Sequence, residues 1–315
     1  MAEAGLRGRA TAFAPASVGN VGVGFDVLGH AVDAAGDTVT VRRIDTPAVR
    51  IGRIEGLSGA FPTAPEDNTA TVGLLAMRAA LDLPFGFEVD VVKGIPLGSG
   101  MGGSAASAVA SVVAANALLD QPLKMRELFP FALQGEAVAS GSAHPDNVAP
   151  SLFGGMVLAA GDPARPVLVQ VPVPEAVRCV LVHPQLKIAT RDARGVLKND
   201  YGIEEIVAQT ANLAGFLSGC YTGDLAVIGA CLEDRLIEPQ RSGLIPGFDQ
   251  VKAAAVATGA LGCSISGGGP SVFAWCDSEA TGQRVGTAML AAFAERDVAA
   301  DLWVSPVESL GARLV

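Results

Sequence analysis

The chain reads as an α+β protein built from two domains, and three observations predict this. It has 315 residues, and a domain runs to about 100–200. Strand-like and helix-like segments interleave along the whole length. A proline-broken turn, Asp162-Pro-Ala-Arg-Pro166, lies near the midpoint and divides the chain into 1–165 and 166–315.

The elements follow in order. Arg9 to Pro15 is small and β-prone, and leads into Ser17-Val-Gly-Asn-Val-Gly-Val-Gly-Phe-Asp26. Three glycines between 19 and 24 make that segment a turn rather than a regular element. Asp37 to Ile44 alternates as a strand. Asp67-Asn68-Thr69 caps a helix reaching Leu81, and Phe87 to Lys93 alternates again. A glycine-rich turn at 94–103 opens a helix over Ser104–Leu119, with Val109, Val112 and Val113 on its core side. A helix over Met125–Ser140, a loop at 141–150 and a strand at Gly155–Ala160 complete the first half. The second half predicts strands at Val167–Val171 and Val177–His183. Helices follow at Ile203–Leu217, Asp224–Cys231 and Phe248–Thr258. A strand into Gly267, a strand at Ser271–Cys276, a helix near 278–294 and a strand at Leu302–Val307 end it.

Composition excludes several classes. Half the residues are hydrophobic but only 5% are aromatic, so the core is aliphatic and alanine-rich rather than absent. The net charge is −10 and no basic run occurs, which excludes a nucleic-acid binder. An anionic ligand would need backbone N–H groups, Mg²⁺ and a few placed cations instead. Cys179, Cys220, Cys231, Cys263 and Cys276 are scattered without metal or redox spacing, as reduced thiols are. Met1 to Ser17 lacks the apolar core of a leader. Ser104–Leu119 is too short for the roughly 20 apolar residues of a membrane span. The expectation is a cytoplasmic protein with no membrane partner.

Pro96-Leu-Gly-Ser-Gly-Met-Gly-Gly-Ser-Ala-Ala-Ser107 is the sharpest feature. A strand ends at Lys93, glycines fill the turn, and a helix begins at Ser104. The first N–H groups of a helix have no intrahelical partner, and the helix dipole adds about half a positive charge there. Glycines let that backbone approach a phosphate closely. Ser104 can offer a hydroxyl to Mg²⁺, and Lys93 can reach the phosphates. Gly98-x-Gly100-x-x-Gly103 also matches a dinucleotide fingerprint. Its acidic partner by spacing, Asp120, follows a helix with no strand between, which disfavours that reading. No Gly-Lys-Ser/Thr follows, so the turn is not a Walker A loop.

Four further polar clusters stand out: Asn20 with Asp26; Glu136 with His144-Pro-Asp146-Asn147; Thr190-Arg-Asp-Ala-Arg194 with Lys198; and Glu238-Pro-Gln-Arg241 with Ser266–Ser271. Alone, each reads equally as surface or capped turn. Asn68 reads as an N-cap first, His144 as a loop support, Arg191 and Lys198 as solvated, and Glu136 as helix surface unless a metal is near.

Together these residues resemble the homoserine kinases of the GHMP kinase superfamily. The Pro96–Ser107 loop resembles the superfamily's phosphate-binding motif. Pro15–Asp26, Gly135–Pro150, Glu238–Gly247 and Ile265–Ser271 are similar to homoserine kinase patterns. The resemblance implies an N-terminal α/β domain with a left-handed βαβ crossover, a C-terminal ferredoxin-like domain, and an active site between them. It implies ATP and Mg²⁺, with Ser104 and Glu136 on the metal. Lys93, Pro96, Leu97, Gly98, Ser99, Gly100, Met101, Gly102, Gly103, Ser104 and Ser107 would hold the phosphates, with Asn68 near adenine. Asn20, Asp26, Asn147, Thr190, Arg194, Arg241, Gly267 and Gly268 would hold L-homoserine. Asn147, Lys93 and Glu136 would serve the chemistry. The sequence sets no oligomeric state, although members of this family are often homodimers. Two departures are visible: Gly103 stands where the family has the first of two serines, and Met101 replaces a leucine.

A zwitterionic alcohol calls for a carboxylate against its ammonium, Asp26, and planar cations against its carboxylate, Arg194 and Arg241. Mevalonate has no ammonium and would leave Asp26 desolvated without a partner. Asn147 cannot act as a base, so either Asp146 or the γ-phosphate takes the hydroxyl proton, and a loose transition state favours the phosphate. Another GHMP kinase with a different alcohol, and a non-catalytic sensor of nucleotide or amino acid, remain as alternatives.

Overall fold

The computed structural model describes residues 8–57, 61–141, 143–163 and 165–315. Residues 1–7, part of the segment expected to lack a leader, lie outside the described residues, as does Ala164 of the expected boundary turn.

The first unit is a seven-stranded sheet covered by helices. β1 (Arg9–Gly19) and β2 (Leu28–Ile44) form a long antiparallel pair. β3 (Val49–Gly56), α1 (Thr69–Ala80) and β4 (Gly86–Lys93) make a βαβ unit with β3 parallel to β4. Then come α2 (Gly103–Asn116), α3 (Met125–Ser140), α4 (Pro145–Phe153), β5 (Met156–Ala160) and β6 (Val167–Val171). The far edge of β2 serves two partners, β4 along Thr38–Ile44 and β5 along Leu28–His30.

α2 lies between the sheet and the helices α1 and α3, and every residue from Ala105 to Ala115 is buried. A helix enclosed on all sides can have no polar face, and alanine lets its neighbours come close. This explains the alanine-rich composition.

The second unit contains β7 (Arg178–Pro184), α5 (Thr190–Gly195), α6 (Ile203–Thr222), α7 (Leu225–Cys231), α8 (Glu238–Arg241) and α9 (Phe248–Ala257). β8 (Gly262–Ile265), β9 (Val272–Cys276), α10 (Glu279–Ala294) and β10 (Ala300–Pro306) complete it, and β11 (Arg313–Leu314) returns to the first sheet as its seventh strand, antiparallel to β1. The sheet order β10-β7-β9-β8 is antiparallel throughout, the split βαβ arrangement of a ferredoxin-like unit. Side chains alternate across it. Val180, Val182, Val272 and Ala274 face α9 and α10, while Cys179, Leu181, Phe273 and Trp275 join the core of the first unit. One core therefore runs through both units, and a second lies between the second sheet and α9 and α10.

Several expectations shift. Asp162–Pro166 is the turn of the β5–β6 hairpin, and both strands belong to the first sheet. A division at 165/166 would cut that hairpin, and we propose placing it at 172–177, before β7. α4 occupies most of the stretch expected as a loop. Its Pro145 looks like a turn signal but sits at the first helical position, where a missing N–H costs nothing. β3 has no clear sequence signal because Gly52 and three charged residues interrupt its pattern on a sheet edge. Among the described residues no helix is long and apolar enough to cross a membrane.

Candidate active site

The turn before α2 is shaped by contacts to its carbonyls. Gly98 O accepts from Ile188 N (3.1 Å), Ser99 O from Ser271 N (3.1 Å), and Met101 O from Ser17 N (3.1 Å). Gly100 O accepts from Ser266 Oγ (2.7 Å). Four successive carbonyls are thus tied to groups outside the turn, three of them in the second unit. Gly98, Gly100 and Gly102 adopt φ of +64°, +75° and +67°. A Cβ on Gly100 would clash with Ser266 O, and one on Gly102 with Ser17 Oγ. Only glycine permits this path. No side chain caps the helix, and its first residues, Gly103 and Ser104, line the cleft described below.

Beneath the turn lies a buried ion pair. Lys93 Nζ donates to Asp37 Oδ2, to Gly103 O (2.8 Å) and to Ser107 Oγ (2.9 Å). Asp37 also accepts from Ser107 Oγ (2.6 Å), Gly94 N (3.0 Å) and Ile95 N (3.3 Å). All three ammonium donors of Lys93 are therefore engaged inside the protein. These contacts pin the start of α2 to the sheet, beside the wall of the cleft that Lys93 also lines. The Ser107 hydroxyl is likewise turned to Asp37.

Asp37 is a site residue that the motifs do not mark, yet a signal exists. It is in phase with the buried Val39 and Val41, and Lys93 is in phase with Phe87, Val89 and Val91. A charge on a core phase must find a partner. Extending the β2–β4 register past Thr38↔Val92 sets these two opposite each other.

A cleft of about 220 Å³ opens in front of the turn and draws lining residues from both units. It collects Asn20, Asp26, Lys93, Pro96–Gly100, Gly102–Ser104, Glu136, Asn147, Thr190, Arg194, Arg241, Gly267 and Gly268. A second cavity of about 290 Å³ lies on the other side of Lys93, Leu97, Ser104 and Ala139. Ile54, Phe61, Val91 and Val138 make it apolar, and Asn68 and Ser107 line it. The Asn68 amide is engaged as the α1 cap, accepting from Ala70 N (2.9 Å) and donating to Pro62 O (2.6 Å). The Met101 side chain turns into the core.

Gly19 and Gly29 face each other across β1 and β2 and admit the start of α4. A Cβ on Gly29 would overlap Asp146 O, and one on Gly19 would lie 2.6 Å from Asp146 Oδ2. This close approach sets Asp146 and Asn147 at the cleft. Asn147 Oδ1 accepts from Ser17 Oγ (2.9 Å). Asp146 Oδ2 accepts from Asn20 N (3.1 Å), while Oδ1 has no hydrogen-bond partner among the described residues. Burial, then the charge of Asp26, pushes the Asp146 pKa up to about 7.

Glu136, expected on a helix surface, is buried. Its Oε1 contacts His144 Nδ1 (3.3 Å), and its Oε2 has no hydrogen-bond partner among the described residues. Arg194 donates from one Nη to both oxygens of Asp26 (2.8 and 2.9 Å) and lies 2.9 Å from His144 Nε2. Arg241 donates to Ala193 O (2.9 Å) and Gly267 O (3.1 Å). Asn20 joins the units by donating to Gly267 O (2.9 Å). Thr190 stands exposed at the rim, and Lys198 pairs with Glu205 at the surface. Glu238 does not line the cleft and pairs with Lys252 behind Arg241.

Residues 68–155 match the model of the GHMP kinases N terminal domain, and 216–295 match GHMP kinases C terminal. A homoserine kinase of Xanthomonas campestris pv. campestris is 54% identical over 314 residues, 100% of this chain and 96% of that one. The crystal structure of homoserine kinase from Cytophaga hutchinsonii aligns with a TM-score of 0.96 at 43% identity, covering 100% of both chains. The chain belongs to the homoserine kinase family of the GHMP kinases. The L. major mevalonate kinase in complex with R-mevalonate shares the fold alone, with a TM-score of 0.71 at 15% identity over 94% of this chain and 96% of that one. The homoserine kinase family carries ATP-dependent phosphotransferases, and the uncapped start of α2 suits a nucleotide phosphate.

Two outcomes test this site. Removing one member of a buried ion pair leaves the other uncompensated. Asp37→Ala is expected to lower stability by about 3–5 kcal/mol in urea unfolding, with part of the loss recovered by adding Lys93→Met. A loss under about 1 kcal/mol would mean the pair does not hold the turn. The Asp146 carboxyl keeps its proton in the fold up to about pH 7, against 3.8 for an ordinary aspartate. Its contribution to stability is fully present below the lower value and is lost as pH rises through the upper one. Asp146→Asn should flatten the stability profile between about pH 4 and 7 and exceed the parent chain at pH 8. Parallel profiles for the two chains would refute the buried, raised carboxyl.

Proposed function

We propose that the protein transfers the γ-phosphate of ATP to the hydroxyl of L-homoserine, giving O-phospho-L-homoserine and ADP. The observation that carries this reading is the charge pattern of one cleft. A carboxylate, Asp26, and two guanidiniums, Arg194 and Arg241, line the same space as the uncapped start of α2. An amino acid presents one ammonium and one carboxylate, and its hydroxyl then points toward the turn. Arginine suits the carboxylate because its planar fork can bind in two places at once.

The apolar second cavity accepts the adenine, and the α2 amides with Gly98–Gly103 take the phosphates. Lys93, Leu97, Ser104 and Ala139 form the wall shared by the two cavities, where the transferred phosphoryl group would pass.

Mg²⁺ fits the residues present. Among the described residues no group of three or more acidic, histidine or cysteine side chains could hold a metal alone. Mg²⁺ does not need one, since it is usually held by one or two protein ligands together with substrate phosphates and water. The buried Oε2 of Glu136, without a partner among the described residues, and the Ser104 hydroxyl on the same cleft would supply those ligands. When bound, the ion would neutralise charge on the β- and γ-phosphates.

The rest falls to the chain itself. Asn147, held by Ser17, orients the acceptor hydroxyl. The new bond forms between that oxygen and the γ-phosphorus as the bond to ADP breaks. Asp146 beside it carries an oxygen with no partner among the described residues and a pKa of about 7. This favours Asp146 over the γ-phosphate as the proton acceptor, against the sequence-based preference, because a base near the working pH is the effective one.

A panel of homoserine, mevalonate, shikimate and galactose with Mg-ATP tests the substrate. Turnover of homoserine alone is expected. Preference for another alcohol would place the chain elsewhere among the GHMP kinases, and turnover of none would make it a binding protein. Glu136→Gln should raise the Mg²⁺ concentration for half-maximal rate by about tenfold or more, as loss of even an outer partner of a ligand does. An unchanged Mg²⁺ requirement would remove Glu136 from the metal. In Asp146→Asn, the fall of kcat below about pH 7 should disappear along with most of the rate.

A further inference from the structure

Two like-charged side chains stand together at one end of the cleft, and Phe25 lies against both. The Cζ of Arg194 is 5.5 Å from the ring centroid, and that of Arg241 is 5.1 Å. Burial, then the charge of Arg194, lowers the Arg241 pKa, so the two cations oppose each other's presence. Other contacts hold each arginine separately. Ala193 O and Gly267 O hold Arg241, while Asp26 holds Arg194. The Phe25 ring lies against both guanidiniums, and the charge of Asp26 favours both.

Its place in the chain fits that role. Phe25 precedes Asp26, whose φ of +61° is set in the turn between β1 and β2. The Asn20 Oδ1 accepts from Asp26 N (3.0 Å) and fixes that turn. Phe25 is half-buried and is not among the residues lining the cleft. It therefore acts on a substrate through the arginines. An ammonium arriving at Asp26 would weaken that carboxylate's hold on Arg194. The negative face of an aromatic ring attracts guanidinium groups regardless of what occupies Asp26.

We propose that Phe25 is a positioning residue whose ring assembles Arg194 and Arg241 into one carboxylate clamp, and so sets the preference for amino-acid alcohols over amino alcohols lacking the carboxylate. This rests on the substrate reading above. The experiment compares Phe25→Leu, Phe25→Tyr and Arg241→Ala. Leucine keeps apolar bulk without the ring's charge distribution, and tyrosine keeps both. The readouts are KM for homoserine, KM for ATP, kcat, the thermal midpoint, and the inhibition constant of 3-aminopropan-1-ol, which is homoserine without its carboxylate.

Phe25→Leu should raise KM for homoserine about five- to thirtyfold, the effect of losing two such contacts. The 3-aminopropan-1-ol constant, KM for ATP and the thermal midpoint should stay within about twofold or a few degrees of the parent chain. Phe25→Tyr should restore the homoserine KM. If Arg241→Ala leaves KM for homoserine unchanged, the substrate reading fails and the proposal with it. If Arg241→Ala raises it and Phe25→Leu does not, the proposal alone is overturned. Equal losses toward ATP and homoserine in Phe25→Leu, not restored by tyrosine, would mark a packing role and overturn it as well.

Discussion

The site depends on where four carbonyls point. A peptide that turns its N–H toward an anion must turn its C=O away, and a buried C=O needs a donor. Here Gly98, Ser99, Gly100 and Met101 find theirs in Ile188, Ser271, Ser266 and Ser17. Three of these donors belong to the second unit. The first unit supplies the helix start, but the second holds the turn in the conformation that leaves its amides available. Asn20 donates to Gly267 O and Gly267 N donates to Gly19 O, which adds a two-way link between the units. This accounts for a single core running through both units, since a loose hinge between them would release the turn.

The same need for partners governs the charges. The chain is acidic overall, with a net charge of −10, yet presents an anion cradle. Among the described residues, each lysine or arginine lining the cleft is held by a protein acceptor: Lys93 by Asp37, Arg194 by Asp26, and Arg241 by two carbonyls. Pairing lowers the cost of burying them. On the proposed reading a zwitterion would exchange with what is already there, its ammonium meeting Asp26 and its carboxylate meeting Arg194. A dicarboxylate or a neutral sugar would leave one of the pair without a counterpart.

Much of this is legible in the sequence, and the gaps have physical causes. The strand–glycine turn–helix pattern marks the anion cradle because it is local, lying within Lys93 to Ser107. Elements with a steady period, such as α3 and β6, fall where the pattern places them. α4 does not, because its prolines mark turns as readily as first-turn helix positions. The contacts of Lys93 and Ser107 with Asp37 are not legible because that partner is more than fifty residues away in sequence. The phase of Asp37 with Val39 and Val41 carries that information only once the register of β2 on β4 is known. Ile188 has no local signal, since a backbone donor is the same in every residue but proline, while Ser266 and Ser271 lie in a marked polar cluster that does not itself say which carbonyls they meet.

The departure at Gly103 illustrates how the turn tolerates change. A Cβ there would lie 3.1 Å from Ile95 Cγ2 and 3.7 Å from Lys93 Nζ. A serine would press on Ile95 beside the ammonium that donates to Gly103 O. Glycine removes that pressure and keeps the N–H that an anion would use. The lost hydroxyl is therefore offset by a helix start that Lys93 can grip from below. The anion binding proposed for this turn would follow from the backbone path and its anchored carbonyls, so the side chain at 103 can vary where the glycines at 100 and 102 cannot.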